Sequence, residues 1–131
     1  MKILPEIEKI SEDLTSIYKD LHQHPELGFE EIRTSKIVQQ KLSEFGVDEL
    51  HPEIGKTGVV AIINGKNNDG RTIGVRADMD ALPIEETTNL NYSSKTPGKM
   101  HACGHDGHTT MLLGAAKHLC ETRNFNGKAI L

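Results

Sequence analysis

The residues His101-Ala102-Cys103-Gly104-His105-Asp106-Gly107-His108 put thiol, imidazole and carboxylate groups within one short segment. Thiolate sulfur and neutral imidazole nitrogen are the usual ligands of zinc-like ions, while carboxylates either ligate or orient the imidazoles from behind. Gly104 and Gly107 let the backbone bend, so that Cys103 and His105, two residues apart, can converge on one centre. The pattern therefore points to a metal held by Cys103 and His105. Its plainer reading is a loop cysteine beside an exposed histidine. His101 and His108 are evenly balanced between ligation and local roles, in shaping the loop and in the first turn of a following helix respectively. Asp106, immediately before that helix, is expected to be its N-cap.

A second group lies upstream. In Arg76-Ala77-Asp78-Met79-Asp80 the period of two places Arg76, Asp78 and Asp80 on one side of a strand. Charges at the carboxyl end of an inner strand are costly unless they are paired or serve a metal. Asp80 is the candidate for orienting a metal-bound imidazole, against the simpler alternative of an ion pair with Arg76.

These groups need a frame. From Pro5 to His22 the residues Ile7, Ile10, Leu14, Ile17 and Leu21 recur at spacings of 3, 4, 3 and 4, which predicts one amphipathic helix. His24-Pro25 ends it, because the residue before proline is pushed out of the helical region. Ile32, Ile37, Val38, Leu42 and Phe45 predict a second helix over Glu30 to Phe45, with Gly46 as its terminator. Val59-Val60-Ala61-Ile62-Ile63 is a β-branched run without alternation, expected to be a strand covered on both faces. Thr72 to Met79 is expected to pair with it as an antiparallel hairpin across the polar turn Asn64 to Gly70. Val47 to Glu53 adds a weaker strand. Residues 81–100 read as a long irregular excursion, Thr109 to Glu121 as a third helix, and Gly127 to Leu131 as the start of a further strand. Together these predict an α/β fold, a layered mixed sheet with covering helices. Ligands in such sheets sit beyond the carboxyl ends of the strands.

With 131 residues, 36% hydrophobic and 26% charged, the chain allows one domain and excludes disorder throughout. A net charge of −4 without a basic run argues against nucleic acid as a partner. The longest apolar stretch, Gly58 to Ile63, is far short of a membrane span, and Met1 to Pro5 leads straight into polar sequence. A soluble cytoplasmic protein is expected. Cys103 and Cys120 are too few for a secreted disulfide framework, and their spacing matches no redox motif. His118 and Cys120 are expected to be packing or surface residues. Glu26, Glu30 and Glu31 suit capping or turns near a helix start. His22, His24 and His51 carry no chemical signal.

Three segments together resemble a known family. His22-Gln23-His24-Pro25-Glu26-Leu27-Gly28-Phe29-Glu30-Glu31, Val75 to Pro83, and His101 to Gly107 followed by Thr109 to Ala116 resemble the hippurate hydrolase and indole-acetyl-amino-acid hydrolase branch of metallopeptidase family 20. The resemblance implies the N-terminal part of a zinc-exopeptidase-like catalytic domain that cleaves N-acyl amino acids with two divalent ions, manganese, zinc or similar. In that pattern Cys103 and His105 match two ligands, and Asp80 matches the carboxylate that orients a ligand. Asp78 stands where distant branches carry a histidine ligand and is not counted as one. The resemblance also places a glutamate pair, two further histidine ligands and an inserted dimerisation domain after the strand that begins at Gly127. Residues 1–131 are then expected to hold half a metal site and to be inactive alone, within a parent that is a homodimer. The rivals are a hydrolase with Cys103 as nucleophile and a non-catalytic interaction module.

Overall fold

The structure, a computed structural model, describes residues 3–131. In chain order the elements are α1 (Pro5–Lys9), α2 (Ser11–Gln23), α3 (Ile32–Phe45), β1 (Glu49–Ile54), β2 (Gly58–Asn64), β3 (Thr72–Gly74), α4 (His105–Thr122) and β4 (Lys128–Ile130). The four strands form one mixed sheet in the order β1-β2-β4-β3. β2 is antiparallel to both β1 and β4, while β3 and β4 run parallel. This is the expected layered α/β arrangement.

The core follows from the two periodicities. Ala61 and Ile63, two apart on β2, share a face with Ala129 of β4 and pack against Val38 and Leu42 of α3 and Leu113 and Ala116 of α4. The opposite face of β2 is less covered than its apolar run suggested, since Val60 and Ile62 are only half-buried. α2 lies against α4. A Cβ at Gly114 would come within 2.9 Å of Leu14 Cδ1, so the glycine permits that approach. Cys120 packs beside the core, and both cysteines are free thiols.

Four expectations are corrected. The helix predicted from Pro5 to His22 is two, broken at Ile10, where φ is −102° and ψ is 6°. Ser11-Glu12-Asp13 begins anew there, because acidic side chains in a first turn stabilise a helix start. The second helix begins at Ile32, not Glu30, since the Glu26 carboxylate accepts hydrogen bonds from the backbone N–H groups of Arg33 (2.9 Å) and Thr34 (2.7 Å) and caps it from outside. That is the capping role read for Glu26. Glu31 instead accepts from the Thr57 hydroxyl at 2.7 Å. α3 stops at Gly46 as expected, in the left-handed region at φ 79°.

The third correction concerns the hairpin. β3 never pairs with β2, because β4 lies between them. Ile62, Ile63 and Asn64 face Ile130, Ala129 and Lys128, and β3 pairs with the other side of β4. Regular pairing of the predicted strand ends at Gly74, with one more bond from Val75 N–H to Ile130 O at 2.8 Å. Beyond it the segment turns to α4, where the Thr109 hydroxyl donates to Asp78 O at 2.8 Å. The fourth is α4, which starts at His105, not Thr109, after Gly104 in the left-handed region at φ 83°. Asp106 is consequently inside the first turn and does not serve as the N-cap.

Candidate metal centre

The early start of α4 decides the geometry of the site. His105 and His108 fall one turn apart on the same helical face, with ring centroids 5.5 Å apart. The segment after β3 runs past that turn and presents Asp78 and Asp80 to it. Asp80 Oδ1 lies 2.9 Å from His105 Nδ1, and Asp80 O lies 3.0 Å from the same nitrogen. Both partners are oxygen acceptors, so Nδ1 is the donor. A carboxylate bonded in this way fixes the tautomer and the plane of the ring and leaves Nε2 available for a metal.

Asp78 faces both imidazoles. Its Oδ1 is 2.7 Å from His108 Nδ1, and its Oδ2 is 3.6 Å from His105 Nε2. The bond from His108 holds the Asp78 carboxyl below the usual carboxylate range, and the nearby imidazoles act in the same direction against some desolvation. Arg76 adds a looser contact, Nη1 to Asp78 Oδ2 at 3.4 Å, from a side chain that is 81% exposed. Among the described residues, Asp78, His105 and His108 bring candidate ligand atoms within 4.8 Å of one another. His105 is mostly buried, Asp78 is partly buried, and His108 is about half-exposed.

The sequence-derived ligands are divided by this geometry. His105 is at the centre of the converged group. Cys103 is an exposed free thiol on the turn that leads into α4 and is not among the three converged donors. His108, balanced between two readings from the sequence, is in the group, and so is Asp78, which was set aside there. The signal for Asp78 was its place in the alternating run with Asp80. The donor set of imidazole, imidazole and carboxylate, backed by a second carboxylate on His105, fits a divalent transition metal.

Behind the first turn of α4 is a buried polar network that the sequence did not announce. Asp106, 2% exposed, takes a bond of 2.7 Å from His22 Nδ1 on α2. His22 Nε2 reaches Glu86 Oε1 at 3.2 Å, and Glu86 Oε2 accepts from Ser94 N–H at 2.6 Å. One imidazole thus ties α2, α4 and the irregular segment of residues 81–100 together. Burial disfavours its charged form, yet hydrogen bonds and charge from Asp106 and Glu86 outweigh that and raise its pKa. His101 is also buried but, among the described residues, finds no hydrogen-bond partner for either ring nitrogen, and burial lowers its pKa. The Glu86 carboxyl is held down, against its own burial, by Ser94, Thr88 and His22.

Helices laid on a mixed sheet, with metal-type donors gathered at the start of one helix, define an α/β protein with a candidate metal centre. Comparison with known proteins then narrows the class. Residues 74–130 match the family described as peptidase family M20/M25/M40. The chain is 55% identical over 127 residues to a hippurate hydrolase of Campylobacter jejuni, covering 97% of this chain and 32% of that protein. An N-acyl-L-amino acid amidohydrolase of Geobacillus stearothermophilus is 46% identical over 118 residues, covering 90% of this chain and 31% of its own length. Among solved structures, a dinuclear metal-binding peptidase of the M20 family from Bacillus subtilis superposes with a TM-score of 0.87 at 43% identity, over 94% of this chain and 35% of that one. By these matches the chain is related to peptidase family M20/M25/M40, whose domain match lies over residues 74–130. It spans about a third of the length of the curated relatives it matches.

Proposed function

We propose that residues 1–131 are part of the catalytic domain of a cytoplasmic, metal-dependent amidohydrolase that cleaves N-acyl amino acids of the hippurate type. The reading includes two divalent ions, manganese or zinc, with Cys103 and His105 as ligands from this chain and Asp80 orienting His105. It also includes a homodimeric parent. The observation that carries it is the Asp80–His105 pair at 2.9 Å, which turns a helix-start imidazole into a directed nitrogen ligand. The relatives named for hippurate and N-acyl-L-amino acids support the substrate class.

Held by Cys103 and His105 together with ligands from the rest of the protein, divalent ions would supply Lewis acidity for the scissile carbonyl and would bring the pKa of water down to roughly 7. The chain's own residues have simpler tasks. Asp80 keeps the proton on His105 Nδ1 and presents Nε2. The bond from Thr109 to Asp78 O keeps the strand-end carboxylates beside the first turn of α4. The His22 network fixes that turn against α2.

The test is hydrolysis of N-benzoylglycine and N-acetyl amino acids with manganese or zinc, by a polypeptide that carries these residues within a chain of the relatives' length. Turnover that stops on chelation and returns with metal supports the proposal. Asp80→Ala should lower metal affinity or activity by about tenfold to a hundredfold. The 131-residue chain alone should show no turnover, and clear turnover by it would overturn that part. Activity that survives chelation but is lost on alkylation of Cys103 would assign the chemistry to a nucleophilic thiol instead.

A further inference from the structure

The first turn of α4 carries His105, yet nothing local secures it. The residue at the N-cap position is Gly104, and among the described residues no side chain caps the helix, so its start relies on other partners. Asp106, next to His105, supplies them: it is buried, its Oδ1 accepts the Gly107 N–H at 2.8 Å, and its Oδ2 takes the 2.7 Å bond from His22 on α2. We propose that His22 is a positioning residue of the metal centre, holding that turn through Asp106 and holding, through Glu86, the segment whose two ends carry Asp80 and Cys103. The inference rests on the metal-dependent reading above and deepens it, adding a residue that touches no metal yet decides where the ligands stand.

The two arms of this clamp reach the site by different routes. On the α4 side, Asp106 is held by its backbone as well, since the Thr110 hydroxyl donates to Asp106 O at 2.7 Å. A shift of its carboxylate therefore moves His105 with it. On the other side, the segment of residues 81–100 is pinched at its base, where Leu82 and Met100 exchange backbone hydrogen bonds of 2.9 and 3.0 Å. From that pinch the chain runs back to Asp80 in one direction and on to Cys103 in the other. The interior of the segment is fastened to α2 at three points: Glu86 Oε1 to His22 Nε2 at 3.2 Å, the Lys95 N–H to Gln23 O at 2.9 Å, and the Tyr92 ring edge-on to His22 with centroids 5.4 Å apart.

Both ring nitrogens of His22 face carboxylate oxygens, which only accept, so both donate. One rigid ring thereby fixes the separation of Asp106 from Glu86. Asparagine can reproduce the donor at Nδ1 and glutamine the donor at Nε2, but neither reproduces both. The Asp106 bond is the shorter and lies beside His105, so that arm carries the larger share. Positioning of this kind keeps the ligands in place before an ion arrives, which lowers the ordering cost of binding.

The experiment uses a polypeptide of the relatives' length that carries these residues. Co²⁺ affinity is measured by competition with a chelator, and hydrolysis of N-benzoylglycine is measured separately. Circular dichroism and urea denaturation establish that each variant is folded where its affinity is read. The expected result is a loss of about tenfold or more in His22→Ala, the scale seen when an outer partner of a metal ligand is removed. His22→Asn should stay within threefold of wild type, and His22→Gln should lose at least fivefold. Val38→Ala loosens the core on α3 and should stay within twofold, whereas a merely structural role for His22 would lower affinity in both variants in step with stability. If His22→Ala does not fold, the Asn and Gln variants decide. Equal affinity in those two, unchanged affinity in His22→Ala, or a matching loss in Val38→Ala overturns the inference, and hydrolysis by the wild type then leaves the hydrolase reading standing. Co²⁺ binding that depends on His22 in a wild type without hydrolysis supports the inference and removes the substrate reading instead. A folded wild type that binds no Co²⁺ overturns the inference as well.

Discussion

At the residue scale the His22 network and the metal-type cluster differ in what they ask of the chain. His22 is 5% exposed and holds two carboxylates, so removing it leaves acidic groups buried and facing one another. His22→Ala should cost about 3–5 kcal/mol at mildly acidic pH, as for other buried ion pairs that lose one partner. The pH dependence has a definite sign. The folded-state pKa of His22 is raised above the ordinary value of 6.5, so its contribution is complete below that value and is lost as pH rises through the higher one. The pKa of Glu86 is lowered from 4.5, so its contribution is present above that value and is lost as pH falls. The gap in urea-denaturation stability between wild type and His22→Ala should therefore be widest between these values and narrow on the alkaline side. A gap that widens steadily toward high pH would contradict the assignment. His101 runs the other way, with a pKa lowered first by burial and in part by the charge of His22, so it penalises the folded state in acid, and less so once His22 is removed. His22 was illegible in the sequence because its partners lie 64 and 84 residues away. The His101–His108 segment was legible because its donors are neighbours in the chain, whereas its pairing with Asp78 is a tertiary fact.

At the element scale, legibility follows the range of the interactions. α2, α3 and α4 could be read because each carries its own 3.6-residue stripe, and the ends at His24-Pro25 and Gly46 are set by local backbone sterics. The hairpin was misread for the opposite reason. β2 and β3 are joined by a turn-like segment, but their spatial neighbour is β4, whose identity depends on contacts made more than fifty residues later. Glycines mark the close approaches that allow this insertion. A Cβ at Gly127 would lie 2.1 Å from Arg71 O, and its φ is +89°, whereas Gly46, at +79°, has open space around it. Gly46→Ala should thus cost only the left-handed backbone penalty, about 1–2 kcal/mol. Gly127→Ala adds overpacking against the Gly70-Arg71 backbone that leads into β3 and should cost about 3 kcal/mol or more. Urea denaturation of the two variants gives the comparison, and equal losses would mean that β4 is not seated between its neighbours as described.

At the scale of the whole molecule, the two sheet edges are unlike each other. β1 is blunted by Pro52 and by a register irregularity between His51 and Ile54, both of which discourage a further strand. The β3 edge has no such device. Ile73 is 61% exposed and Val75 is 44% exposed, while Met111 on nearby α4 is 65% exposed. Beside them, the extended segment of residues 75–79 borders an apolar groove of about 370 Å³ lined in part by Leu42, Leu112 and Leu131. Unpaired backbone groups next to apolar side chains form a template for another strand, and a net charge of −4 offers little repulsion against it. The 131-residue chain is therefore expected to self-associate through the β3 edge, with its sedimentation coefficient rising with concentration. Ile73→Lys places a charge on that edge without touching the core or the donors at α4, and should return the chain to a monomer. A wild-type chain that sediments as a monomer at every concentration, or an association indifferent to Ile73→Lys, would show that the bare edge is not the surface on which copies meet.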